Sequence, residues 1–142
     1  MEKLFTIEII TDDRSGLAEI IAGYLNFYSN KKTDVSIHGI RKVIHPLAQQ
    51  VLREDRIEIY SPAALKQNDS ADLFIIVNNA VSGNLPKISE ILNFQFNDPL
   101  LETSYNETLN AYRAVRDEIK KKCIELIGEL QSRNLLAEPT NV

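Results

Sequence analysis

The sequence predicts an α/β fold, and three observations carry that reading. A mostly apolar run at Leu4–Ile10 and a continuous one at Leu73–Val77 have the length and character of strands buried on both faces of a parallel sheet. Between and after them, apolar residues recur at spacings of three and four, the helical period. A strand followed by a helix, repeated along a chain, implies parallel strands joined by right-handed crossovers.

The first strand, ending at Ile10, feeds the polar loop Thr11-Asp12-Asp13-Arg14-Ser15-Gly16. Leu17, Ile20, Ile21, Tyr24, Leu25 and Tyr28 then form one stripe, predicting a helix that starts at Leu17, with Asp13 or Ser15 as N-cap, and stops near Asn30. Val35 and Ile37 alternate with Ser36 and His38 as a short strand, and the break at His45-Pro46 precedes a helix carrying Leu47, Val51 and Leu52. A brief segment at Ile57–Tyr60 leads to Ser61-Pro62, a serine cap with proline at the first helical position, which predicts a short helix through Leu65. Ile91–Phe94 reads as a strand ending before Asn97-Asp98-Pro99. From about Asn106 to Leu136, Leu109, Tyr112, Val115, Ile119, Cys123, Leu126, Ile127 and Leu130 hold one face of a long helix. Residues 1–136 are expected to form a single domain and 137–142 a frayed tail.

Composition narrows the function. Sixteen basic residues against 20 acidic ones leave a net charge of −4, the opposite of a nucleic-acid-binding stripe. No apolar run is long enough to cross a bilayer, and the N-terminal residues lack the basic and uninterrupted apolar regions of an export signal. The single cysteine, Cys123, excludes an internal disulfide and a dithiol pair, so a reducing, cytoplasmic setting is expected. Cys123 sits in the apolar stripe of the last helix, where it reads as a small buried hydrophobe. His38 and His45 have no sequence-local partners and read as structural, and Lys120-Lys121-Lys122 reads as a solvated helix face.

Several segments together resemble a known family across nearly the whole chain. Arg14-Ser15-Gly16-Leu17-Ala18-Glu19, His45-Pro46-Leu47-Ala48 with Val51-Leu52-Arg53-Glu54, Asp72–Val77, Phe96-Asn97-Asp98-Pro99 and Ala111–Ile119 are similar, in order and spacing, to the low-molecular-weight protein tyrosine phosphatases and thioredoxin-linked arsenate reductases. The resemblance implies a three-layer sandwich: a central four-stranded parallel sheet with helices on both faces.

In that family the first loop presents a cysteine, then five residues, an arginine and a serine, so that loop amides and the arginine cradle an oxyanion beside a thiolate. Counting back from Arg14 without a gap puts Glu8 at the cysteine position, and a shortened loop puts Ile9 or Ile10 there. None of the three is a competent nucleophile toward phosphate. The two further cysteines of the reductase relay match Asn78 and Leu85. The resemblance therefore implies a pseudoenzyme whose crevice retains Arg14, Ser15 and Asp98, the last at the family's general-acid position, with Asp12 and Asp13 opposing an anion. Thr11, Asp12, Asp13, Arg14, Ser15 and Asp98 are the candidate ligand-binding residues. Their expected ligand is a small anion or a protein partner, with no cofactor and no membrane or nucleic-acid partner, and a homodimer is left open. Residual phosphatase or arsenate reductase-like chemistry through Asp98 and water is one alternative. A divalent-metal site from Asp12, Asp13 and Asp98 is another. It faintly resembles a response-regulator receiver, which is disfavoured because the phospho-accepting aspartate would fall at Asn78.

Overall fold

The computed structural model describes residues 4–12, 15–38, 44–58, 71–80 and 90–136. It contains β1 (Phe5–Ile10), α1 (Leu17–Tyr28), β2 (Thr33–His38), α2 (Pro46–Glu54), β3 (Leu73–Val77), β4 (Glu90–Phe94), a 3₁₀ turn at Pro99–Leu101 and α3 (Tyr105–Ser132). The four strands form one sheet in the order β2-β1-β3-β4. Every pairing is parallel, with Ile7 opposite Val35 and Leu73, and Ile75 opposite Leu92. The predicted α/β class and four-stranded parallel sheet are both present. The helix expected at Ser61–Leu65, the relay position Leu85 and the tail 137–142 fall outside the described residues.

Strand period two sorts the side chains. Ile7, Ile9, Leu73, Ile75 and Val77 join a core with α1, α2 and α3, whereas Ile10, Phe74 and Ile76 point to the opposite face and form a second cluster with Ala71 and Ala80. All five β3 residues are buried, so the sheet is covered on both faces at this strand, as its unbroken apolar sequence requires. Residues 17–25 of α1 are buried without exception. This follows from the helix lying against the sheet on one side and against α2 and α3 on the others. Each fully buried Leu or Ile there contributes about 1.5–3 kcal/mol.

The eight stripe residues predicted for the last helix are the eight that α3 buries. Its polar flank is tied to α2: Arg113 donates from both Nε and Nη2 to the Glu54 carboxylate, the latter at 2.7 Å, and Arg116 Nη1 reaches Glu54 Oε1 at 2.9 Å. These hydrogen bonds, Arg113's first among them, hold the Glu54 carboxyl below its usual value. No described helix is long and apolar enough to cross a membrane.

Candidate functional site

Because all four strands are parallel, their carboxyl ends share one edge. The chain leaves β1 toward β2 on one side and reaches β3 on the other side of β1, so the order reverses between β1 and β3. That reversal opens a crevice at the strand ends, the general ligand position of open α/β sheets. Thr11 and Asp12 leave β1 there, Asn78 leaves β3, and Asp98 follows β4.

Thr11 is buried and continues the ladder, its N–H donating to His38 O at 3.0 Å, while Asp12 is exposed. Glu8 lies two residues inside β1, buried, at a register position between Ser36 and Phe74. It is a strand residue, so the loop begins only after Ile10, and the count that matched Glu8 to a loop nucleophile does not hold. Asp13 and Arg14 lie outside the described residues. Ser15 is fully buried, and its carbonyl accepts a 2.7 Å hydrogen bond from the Tyr112 hydroxyl on α3.

The expected N-cap of α1 was Asp13 or Ser15; the structure puts Gly16 there, with no side-chain capping bond. The reason is steric. Gly16 has φ +87°, and a Cβ on it would stand 2.8 Å from Ala48 Cβ, so α1 and α2 approach too closely for any side chain at this turn. His45 is structural, as expected: its Nδ1 accepts from Leu47 N at 3.1 Å to cap α2, and its ring stacks on Tyr112 with centroids 5.3 Å apart. His38 lies exposed at the end of β2.

Asp98 is half-buried and caps the 3₁₀ turn, Oδ1 accepting from Leu100 N at 2.9 Å. It leaves from β4, two strand spacings or roughly 10 Å from β1. Its approach is set by Asn78, whose N–H donates to Phe94 O at 2.8 Å and whose Oδ1 accepts from Phe96 N at 2.7 Å. Asn79 Oδ1 accepts from Gln95 Nε2 at 2.8 Å. Asn78 and Asn79 both adopt left-handed backbone, φ 50° and 59°, which asparagine tolerates better than most side chains. From the sequence Asn78 reads as the place of an absent cysteine or an absent phospho-accepting aspartate, not as a turn residue. The signal that was available is the Asn-Asn pair directly after an apolar strand, a turn signature.

Cys123 is fully buried in α3, its sulfur donating toward Ile21 O at 3.8 Å, and burial pushes the thiol's pKa well up. It faces the core, away from the crevice residues. Among the described residues no three His, Cys, Asp or Glu side chains gather as a metal site.

The strand order, the parallel crevice and the Asp-Pro turn define an α/β protein with the low-molecular-weight phosphatase-like fold. The same fold is found in an arsenate reductase in the phosphate binding state, at 22% identity and a TM-score of 0.68, covering 87% of this chain and 97% of that one. YwlE arginine phosphatase from Geobacillus stearothermophilus matches at 18% identity and TM-score 0.68, covering 92% and 96%. An arsenate reductase from Archaeoglobus fulgidus matches at 16% identity and TM-score 0.66, covering 87% and 98%. No family model matches the sequence, and no curated protein does.

Proposed function

We propose that this chain is a non-catalytic relative of the low-molecular-weight tyrosine phosphatases and arsenate reductases, using the crevice to bind a small anion or a protein partner. The observation that carries the reading is the position of its single cysteine. Cys123 is sealed in the core, and a thiol held protonated by burial is neither a nucleophile nor a redox relay. The strand end where the family presents its thiolate carries Ile10 and Thr11 instead.

Asp98 supports the same reading, because its carboxylate serves the turn at Leu100. An acid without a nucleophile leaves the barrier to phosphoryl transfer largely intact. Ligand recognition falls to Arg14, Ser15 and the loop amides, with Asp12 and Asp13 weakening the affinity for a bare dianion.

The test has two arms. Purified protein is expected to turn over neither an aryl phosphate nor arsenate with a thiol reductant; turnover that vanishes in Asp98→Asn refutes the pseudoenzyme reading. Thermal shifts with phosphate, arsenate, magnesium and calcium identify the ligand chemistry, since a ligand specific to the native state raises its melting temperature. A rise with oxyanions that Arg14→Ala abolishes supports the proposal, and a rise with magnesium alone replaces it with the carboxylate site.

A further inference from the structure

A cavity of about 450 Å³ opens between the C-terminal ends of α1 and α2. It lies at the amino edge of the sheet, because α1 starts beside the carboxyl ends and runs back to the loop that opens β2 at Thr33. The candidate crevice is at the other pole, so this cavity is a separate place on the molecule.

Both helices close on their own backbone. Lys31 N–H donates to Asn26 O at 3.0 Å and Asn30 N–H to Phe27 O at 3.1 Å; in α2, Ile57 N–H donates to Leu52 O at 2.9 Å and Arg56 N–H to Arg53 O at 3.0 Å. These bonds satisfy the carbonyls that a lysine or arginine side chain often caps at a helix end. They also require left-handed residues, φ 62° at Lys31 and 58° at Arg56. Glycine suits such positions, and a side chain there carries a steric cost. Two cations thus occupy glycine-favouring positions, and both line the same cavity without an ion pair among the described residues.

The remaining wall is specific in its chemistry. Phe27 offers an aromatic ring that is 56% exposed, and Ile57 is a buried apolar floor. That floor is firm: a Cβ on Gly23 would meet Ile57 Cγ2 at 3.2 Å and Glu58 O at 3.5 Å, so α1 rests directly on this segment. Asn26 and Asn30 supply amide donors and acceptors, and Glu58 is the single carboxylate opposing the two cations.

We propose that this cavity binds a small anion carrying a planar ring, the chemistry of a nucleoside monophosphate. The phosphate lies between Lys31 and Arg56, the ring stacks on Phe27, and the hydrogen-bond donors and acceptors on the ring's edge meet Asn26 and Asn30. The volume suits such a ligand.

The test is calorimetric titration and thermal shift of the intact protein with adenosine and guanosine monophosphates, adenosine and inorganic phosphate. A monophosphate is expected to bind about tenfold or more tightly than adenosine or phosphate alone. The variant Lys31→Gly/Arg56→Gly removes both cations while relieving the backbone, so its own melting temperature should hold or rise as affinity falls about tenfold or more. Absence of binding at millimolar nucleotide, or binding unchanged in that variant, overturns the proposal. So does binding that Arg14→Ala abolishes, which places the anion in the crevice.

Discussion

Replacing Gly16 by alanine tests whether the junction of the candidate loop with α1 is as tight as it looks. An L-residue held at φ +87° costs roughly 1–2 kcal/mol. The new Cβ would also stand 2.8 Å from Ala48 Cβ, about 1 Å inside ordinary carbon contact. Ala48 is fully buried in α2 and cannot turn aside, so relief requires the two helices to separate. Overpacking of that kind costs about 1–3 kcal/mol. The total of about 2–5 kcal/mol corresponds to a fall in Tm of roughly 6–20 °C for a chain of this size. Urea unfolding is the assay, with a lower midpoint and an unchanged slope expected. The cycle with Ala48→Gly separates the two contributions, since that change removes the opposing methyl and leaves the backbone strain. A coupling of about 1–3 kcal/mol is expected. A single-variant loss below about 1 kcal/mol, or no coupling, refutes the argument.

Three other outcomes follow from the structure. Asn78→Gly keeps the left-handed turn but removes the acceptor for Phe96 N–H, so hydrogen exchange at Phe96 should quicken while β3 amides stay protected. At Asp55, burial raises the carboxyl's pKa, but hydrogen bonds from Tyr24 and Lys120 outweigh it and hold it below 3.8. A depressed carboxyl stabilises the fold above its unfolded value and loses that contribution as pH falls through the folded one. The stability gap between the wild type and Asp55→Asn should therefore be constant near neutrality and shrink below about pH 3.8. Cys123, buried with its thiol pKa raised, should react with a thiol reagent only at the rate of unfolding, and Cys123→Ala should leave any ligand binding in the crevice unchanged.

Elements whose burial is complete or cleanly one-sided were legible in the residues. β3 is buried on both faces and reads as an unbroken apolar run, and the α3 stripe maps residue for residue onto its buried face. Edges were less clear. β4 begins at Glu90 rather than Ile91 and is largely exposed, because an edge strand needs little apolar sequence. The start of α1 at Leu17 was legible, but its cap at Gly16 was not, because the polar loop offered conventional caps while what decides the turn is Ala48 on another helix. The site residues divide in the same manner. Asp98 before Pro99 was visible as a turn residue, and its bond to Leu100 is local. Asn78's bond to Phe96 spans 18 residues and Tyr112's to Ser15 spans 97, distances over which a single sequence carries no pairing information.

That last bond has a consequence for the order of events during synthesis. The loop residue Ser15 leaves the ribosome before α3 does, so its carbonyl waits for a hydroxyl made 97 residues later, and the His45 ring waits for the same tyrosine to stack upon. β1 must likewise wait for β3, since Ile7 pairs with Leu73. A nascent or truncated chain lacking α3 would leave the α1 surface that faces it, including the carbonyl of Ile21, open to water. The crevice loop is thus completed by a helix translated well after it, and damage to α3 should be felt at Ser15.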